Sequence, residues 1–209
     1  MSVIICCGHG GLVNGQYQDL NAEKTPPDYK SYVFPDGFTV YEGVVNRQIA
    51  GRLTRLLKVA NVGYHDLNIL SNFDMPLHQR VKKINDIYQK DKNAWLLSIH
   101  SNKMTRDGEG ASLPGRGCET YIAINAGKKS QAIQVIAEKH YKNDGHRYRG
   151  SNTANFYILK NTNCPAILVE NYFYTNRQDA EFLMSPPGQE KIASTLFKII
   201  KETGMIFAD

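Results

Sequence analysis

His9, Glu42, His100 and Glu170 are the residues of this chain whose types and placement could do chemistry. His9 sits in Gly8-His9-Gly10-Gly11, directly after the apolar run Val3 to Cys7. His100 closes the run Trp95 to Ile99, and Glu170 directly follows Ala166-Ile167-Leu168-Val169. Two imidazoles and one carboxylate can hold a zinc ion and leave its fourth position open for water and substrate. Water on such an ion reaches a pKa of about 7, which makes hydroxide available at neutral pH. A further acid beside it can take the water's proton and return it to a leaving nitrogen. His9, Glu42 and His100 are therefore candidate ligands, and Glu170 is the candidate acid–base.

Each residue also has a plainer reading. His9 fits an ordinary loop histidine. Thr39-Val40-Tyr41-Glu42 has the S/T-x-x-E form of a capping box, in which Glu42 reaches back to the Thr39 amide. His100, after an apolar strand, fits a hydrogen-bonded structural histidine. Glu170 resists such a reading, because a carboxylate directly after Ile-Leu-Val enters a partly buried site, which costs free energy unless it is paired or used. The ligands form no local HExxH-type motif, so residue types alone leave these alternatives open.

The elements that must position these groups read as follows. Val3 to Cys7 is a short buried strand with a turn at Gly8 to Gly11. Residues 12 to 38, rich in Gly, Pro, Asn and Asp, read as a long surface loop. Val45, Ile49, Leu53 and Leu56 or Leu57 recur at helical spacing after Glu42, which predicts a helix over 41–58. A short strand is expected at 66–70, a helix over 77–89, and a strand over 95–100 with Ser101-Asn102 as loop. Residues 103 to 117 read as a second long loop, 119–124 as a strand and 130–141 as a helix. A weaker strand is expected at 156–159, a strong one at 166–170, and helices at 179–184 and 189–202. Alternation of strands and helices predicts an α/β fold in one domain, 1–209, with a twisted, mostly parallel or mixed sheet of about six strands flanked by helices. In such sheets the ligand crevice lies outside the carboxyl ends of the strands, where His9, His100 and Glu170 all fall, and Glu42 can face the same edge.

These motifs resemble one family in order along nearly the whole chain. Cys6-Cys7-Gly8-His9-Gly10-Gly11 is similar to the D-P-G-H-G-G segment of zinc-dependent N-acetylmuramoyl-L-alanine amidases of the amidase 3 type. Glu42 resembles that family's second zinc ligand. Arg80, Asn85 and Leu97-Ser98-Ile99-His100-Ser101-Asn102 resemble its R…N…SIHxN stretch, which supplies the third. Gly117-Cys118-Glu119-Thr120-Tyr121 is similar to its G-x-E-x-Y strand. Phe156 to Leu159, Pro165 to Glu170 and Phe173-Tyr174-Thr175-Asn176 resemble its closing motif, whose Glu is catalytic. The resemblance implies Zn2+ on His9, Glu42 and His100, with Glu170 as the general acid–base. The reaction it implies is hydrolysis of the amide between the lactyl group of N-acetylmuramic acid and L-alanine in bacterial peptidoglycan. The chain departs from the pattern at Cys6-Cys7, which replace Asp-Pro, and at Asn171-Tyr172, which stand where the family has Leu-Gly. The stretch between His9 and Glu42 is longer than in the family and is expected to contribute to a substrate groove.

Composition narrows the alternatives without choosing among them. With 42% apolar and 22% charged residues the chain reads as an ordinary globular protein. The net charge of +5 favours anionic partners, but its basic residues are scattered, so it does not point to nucleic acid. No apolar run approaches the roughly 20 residues that span a bilayer. The start, Met-Ser-Val-Ile-Ile, lacks a basic region and a long apolar core, so no signal peptide is read, and a monomeric lysis protein that reaches the wall after release is expected, as with phage endolysins. Cys6, Cys7, Cys118 and Cys164 lack CxxC spacing and read as buried thiols. Two rivals stay open: another zinc peptidase or deacylase such as a carboxypeptidase, and a non-catalytic wall-binding or nucleic-acid-binding module.

Overall fold

In a computed structural model of the chain, residues 1–20, 30–104 and 115–207 are described. The central sheet has six strands in the order β6-β1-β7-β10-β8-β9. They are β1 (Val3–Cys7), β6 (Tyr64–Asp66), β7 (Trp95–Asn102), β8 (Cys118–Ala123), β9 (Tyr148–Ala154) and β10 (Ala166–Phe173). Neighbours run parallel except β8, which is antiparallel to β10. β1, β7 and β10 are buried on both faces, which is why they read in sequence as unbroken apolar runs.

Alternate residues of these strands serve two cores. Val3, Ile5, Cys7, Leu97, Ile99, Ile167 and Val169 face α1 (Glu42–Val59), α3 (Lys128–Asn143) and α6 (Pro186–Ile206). Val45, Ile49 and Leu53 of α1 and Ile192, Leu196 and Ile199 of α6 fill that side. Ile4, Cys6, Leu96, Ala166 and Leu168 face the opposite way, against α2 (Leu77–Lys90) and the single turn α4 (Tyr157–Asn161). α5 (Arg177–Met184) is capped by the Asn176 side chain, which accepts from the amides of Gln178 and Asp179. All four cysteines are buried free thiols, as their surroundings in the sequence suggest.

The structure corrects several expectations. Part of the loop expected over 12–38 is paired. β2 (Leu12–Val13) and β3 (Gln16–Tyr17) form a hairpin through Asn14-Gly15, both at positive φ (50° and 78°), the signature of a tight Asn-Gly turn. β4 (Ser31–Val33) pairs antiparallel with β5 (Thr39–Tyr41). Thr39 is therefore strand, and Glu42 starts α1 with no side-chain cap, so the capping box does not form. The strand expected at 66–70 lies at Tyr64–Asp66, and Ser101-Asn102 belong to β7. Phe156–Leu159 holds the start of a helical turn whose Ile158 and Leu159 enter the smaller core; a short apolar run does not by itself distinguish strand from helix. β9 has no counterpart in the sequence reading, because this edge strand, Tyr-Arg-Gly-Ser-Asn-Thr-Ala, has almost no apolar side chains to betray it. Most of the loop expected over 103–117 lies outside the described residues.

Candidate metal centre

The chain turns sharply where β1 ends. The Gly8 amide donates to the Ile99 carbonyl of β7 at 2.8 Å, and a Cβ on Gly8 would lie 2.2 Å from the His100 ring, so only glycine lets that ring pack here. The first turn of α1 comes equally close: a Cβ on Gly43 would sit 1.8 Å from the Gly10 carbonyl oxygen. That approach seats Glu42 beneath the turn. His9 is held at φ 57°, a left-handed conformation that costs a non-glycine residue about 1–2 kcal/mol.

Three side chains from three distant segments meet at this edge. Glu42 Oε2 lies 3.4 Å from His9 Nε2, and Glu42 Oε1 lies 3.0 Å from His100 Nδ1. One ligand atom from each of the three falls within 4.8 Å of the others. Glu42 is almost fully buried, at 2% exposure, whereas His9 and His100 are partly exposed. Burial pushes the His9 imidazole down to about 4 despite the Glu42 carboxylate, so it is neutral at pH 7. Burial pushes Glu42 up, but His9 and His100 facing it outweigh burial and hold it at about 2. A neutral imidazole and an ionised carboxylate are the forms in which these side chains bind metal, so the donor set fits a zinc ion.

Neighbouring groups fix the donors. The Asn46 amide donates to Glu42 Oε1 at 3.5 Å and to the Gly8 carbonyl at 3.4 Å, and its oxygen accepts from the Ser101 hydroxyl at 3.1 Å. The Ser101 amide also donates to Glu42 Oε1, at 3.4 Å. Asn68 exchanges two 2.8 Å hydrogen bonds with the backbone of Cys7, and Arg80 donates to the Cys7 carbonyl at 2.6 Å and to Asp74 at 2.8 Å. Asn46 and Asn68 were not among the sequence candidates. Asn46 has a legible signal, since it lies four residues after Glu42 on one helix face; Asn68 has none. Asn85 holds the far end of α4 instead, through Asn161 and Asn163. Cys6 and Cys7 join no candidate metal group among the described residues; their thiols face the two cores. His9 also lies within 4.8 Å of Asp19 and Asp74, but Asp74 is already engaged by Arg80 and the Leu20 amide.

Glu170 lies one strand from His100, which it pairs in register, and Glu119 pairs it from the other side. The three therefore form a row across the sheet. Glu170 Oε2 is buried with no hydrogen-bond partner. Burial, and then the Glu42 charge, push its carboxyl well above the usual carboxylate range. A carboxyl with one unpartnered oxygen and a raised proton affinity, on the strand beside His100, has the chemistry a general acid–base needs.

Comparison with known proteins gives the family of the chain. A family model described as N-acetylmuramoyl-L-alanine amidase matches residues 3–202. The chain is 30% identical over 162 residues to N-acetylmuramoyl-L-alanine amidase LytC of Bacillus subtilis (strain 168), covering 77% of this chain and 30% of LytC. It is 30% identical over 94 residues to an endolysin of Bacillus phage SPP1, covering 42% of this chain and 32% of that protein. These matches span about a third of each relative's own length. The fold is similar to that of an N-acetylmuramoyl-L-alanine amidase from Clostridium difficile 630, with a TM-score of 0.73 at 23% identity over 100% of this chain and 98% of the other.

Proposed function

From the N-acetylmuramoyl-L-alanine amidase family, to which this chain belongs, we propose that it hydrolyses the amide between N-acetylmuramic acid and L-alanine in bacterial peptidoglycan. The observation that carries this reading is the meeting of His9, Glu42 and His100 one strand from Glu170, whose buried Oε2 has no hydrogen-bond partner. His9, Glu42 and His100 would hold zinc. When bound, the ion supplies Lewis acidity that polarises a carbonyl and acidifies water. Glu170 takes the proton of the attacking water on its carboxylate and gives it to the departing alanine nitrogen, so one group serves as base and then acid. Its raised proton affinity suits taking that proton and keeping it until the nitrogen departs. Asn46 and Ser101 hold Glu42 in one orientation throughout.

That one chain supplies all four side chains supports reading residues 1–209 as a single catalytic unit able to work as a monomer. The likeness to a phage endolysin supports action on the wall during lysis. Among the described residues no helix is long and apolar enough to cross a membrane.

The test is digestion of purified peptidoglycan with product analysis. Amidase action frees lactyl carboxyls on the glycan and exposes new L-alanine amino termini. Release of a terminal amino acid without new L-alanine termini identifies a carboxypeptidase instead. Glu170→Gln is expected to keep its zinc, by metal analysis, and lose turnover by about 100-fold or more. Near-normal turnover in that variant removes Glu170 from the mechanism.

A further inference from the structure

Two residues beyond Glu170, the backbone of β10 does something a tyrosine rarely does. Pairing with β7 runs in register to Glu170↔His100 and resumes out of register at Phe173↔Asn102. Tyr172, inside this bulge, sits at φ 60°. That is left-handed backbone, which favours glycine. A strained residue persists only where its surroundings hold it. The bulge begins directly after Glu170, the last residue of β10 in register with His100, and bulges re-aim the side chains next to them.

The side chains that hold it are on both flanks. Asn171, fully buried, donates to the His100 carbonyl at 3.2 Å and accepts from the Tyr141 hydroxyl at 2.7 Å. The Phe173 amide donates to Asp179 at 3.1 Å. The Tyr172 hydroxyl lies 2.9 Å from Nδ1 of the buried His146. The other ring nitrogen, Nε2, lies 2.9 Å from Thr195 Oγ1. The direction of this chain of bonds follows from proton counting. The single Thr195 hydroxyl proton goes to the Asp144 carboxylate, 2.6 Å away, which Lys198 also contacts. Thr195 must then accept from His146, so Nε2 carries the hydrogen and Nδ1 is bare. Tyr172 therefore donates to Nδ1. Burial keeps His146 from protonating, at about 4, which preserves that acceptor at neutral pH.

We propose that the Tyr172–His146 hydrogen bond is a positioning device that holds the left-handed bulge of β10 and thereby fixes the Glu170 carboxyl against the candidate metal ligands. Tyr172 touches no reacting atom in this account; it acts through the backbone. The inference rests on the assignment of Glu170 as the acid–base.

The test compares Tyr172→Phe with Tyr172→Gly in the full chain, loaded with zinc, on peptidoglycan. Phenylalanine keeps the ring and the strain but loses the anchor. Glycine loses the ring and the anchor but adopts positive φ freely. Positioning predicts that Tyr172→Phe lowers kcat about tenfold with KM within about twofold and full zinc content. It further predicts that Tyr172→Gly, assayed below its melting temperature, turns over at least about fivefold faster than Tyr172→Phe. A purely packing role for the ring predicts the reverse order, and that order overturns the proposal. Should Tyr172→Phe not fold, His146→Leu removes the acceptor instead and is expected to show the same fall in kcat at constant KM; wild-type kcat there overturns the proposal. Glu170→Gln runs alongside. If it is active, the acid–base assignment fails and the positioning argument with it. If it is inactive while Tyr172→Phe matches wild type, the positioning argument alone fails.

Discussion

Replacing Gly8 with alanine tests the geometry of the ligand cluster at its tightest contact. The new Cβ would lie 2.2 Å from His100 Cε1 and 2.3 Å from Nδ1. Ordinary contact begins near 3.4 Å. The imidazole must therefore retreat by about 1.2 Å, the difference between those distances, or swing to another rotamer. Metal sites tolerate ligand displacements of only about 0.2 Å, so either response takes Nδ1 or Nε2 out of reach of a shared ion. Gly8 is not among the glycines at positive φ, so alanine fits its backbone, and the Gly8–Ile99 hydrogen bond stays available. The loss thus falls on the site more than on the fold. Zinc affinity is expected to drop by about 10–100-fold, the range seen when the support of a ligand is removed. Competition with a chromophoric chelator measures it, and thermal melting of the metal-free protein checks that the variant is folded. A folded Gly8→Ala protein that binds zinc within twofold of wild type would refute the placement of His100 as a ligand.

Two further outcomes follow from the same contacts. Asn46→Ala removes the bonds to Glu42, Gly8 and Ser101 and is expected to destabilise the fold by about 1–3 kcal/mol while weakening zinc binding, as read by urea unfolding and chelator competition; unchanged values in both would show that Asn46 does not support the site. The pH dependence of stability has a definite sign at His146, whose folded value of about 4 lies below the ordinary 6.5 because of burial. Between those values the unfolded chain binds the extra proton, so His146 contributes stability above pH 6.5 that is lost as the pH falls towards 4, at most about 3 kcal/mol. In urea unfolding of chelator-treated protein, His146→Leu is expected to lose less stability between pH 7 and pH 4 than wild type; parallel curves would contradict the assignment.

Much of this was legible in the sequence because burial on both faces leaves a one-dimensional trace. β1, β7 and β10 are central parallel strands, so they appear as unbroken apolar runs, and the polar residue that interrupts or follows each run falls at the carboxyl edge of the sheet. His100 and Glu170 are found that way, and α1 by its repeat of apolar residues. What the sequence misplaced lies at the margins. β9 is an edge strand with polar alternation, and α4 is one turn whose apolar residues fit either period.

Glu42 shows most plainly what only tertiary structure decides. Its local context, Thr39-Val40-Tyr41-Glu42, favours a cap, yet Thr39 is drawn into pairing with β4 and Glu42 turns instead to His9 and His100. The nearby residues Gly43 and Asn46 permit that choice but do not make it. It depends on Gly43 and Gly8 allowing the backbone of one segment to approach another to a distance no side chain would permit, and on Ser101 of β7 joining Asn46 of α1 to hold the carboxylate. Residue types and their order determined which groups could meet. Their meeting was decided by close packing between segments far apart in the chain, because short-range preferences of about 1 kcal/mol yield to the burial of whole helices and strands.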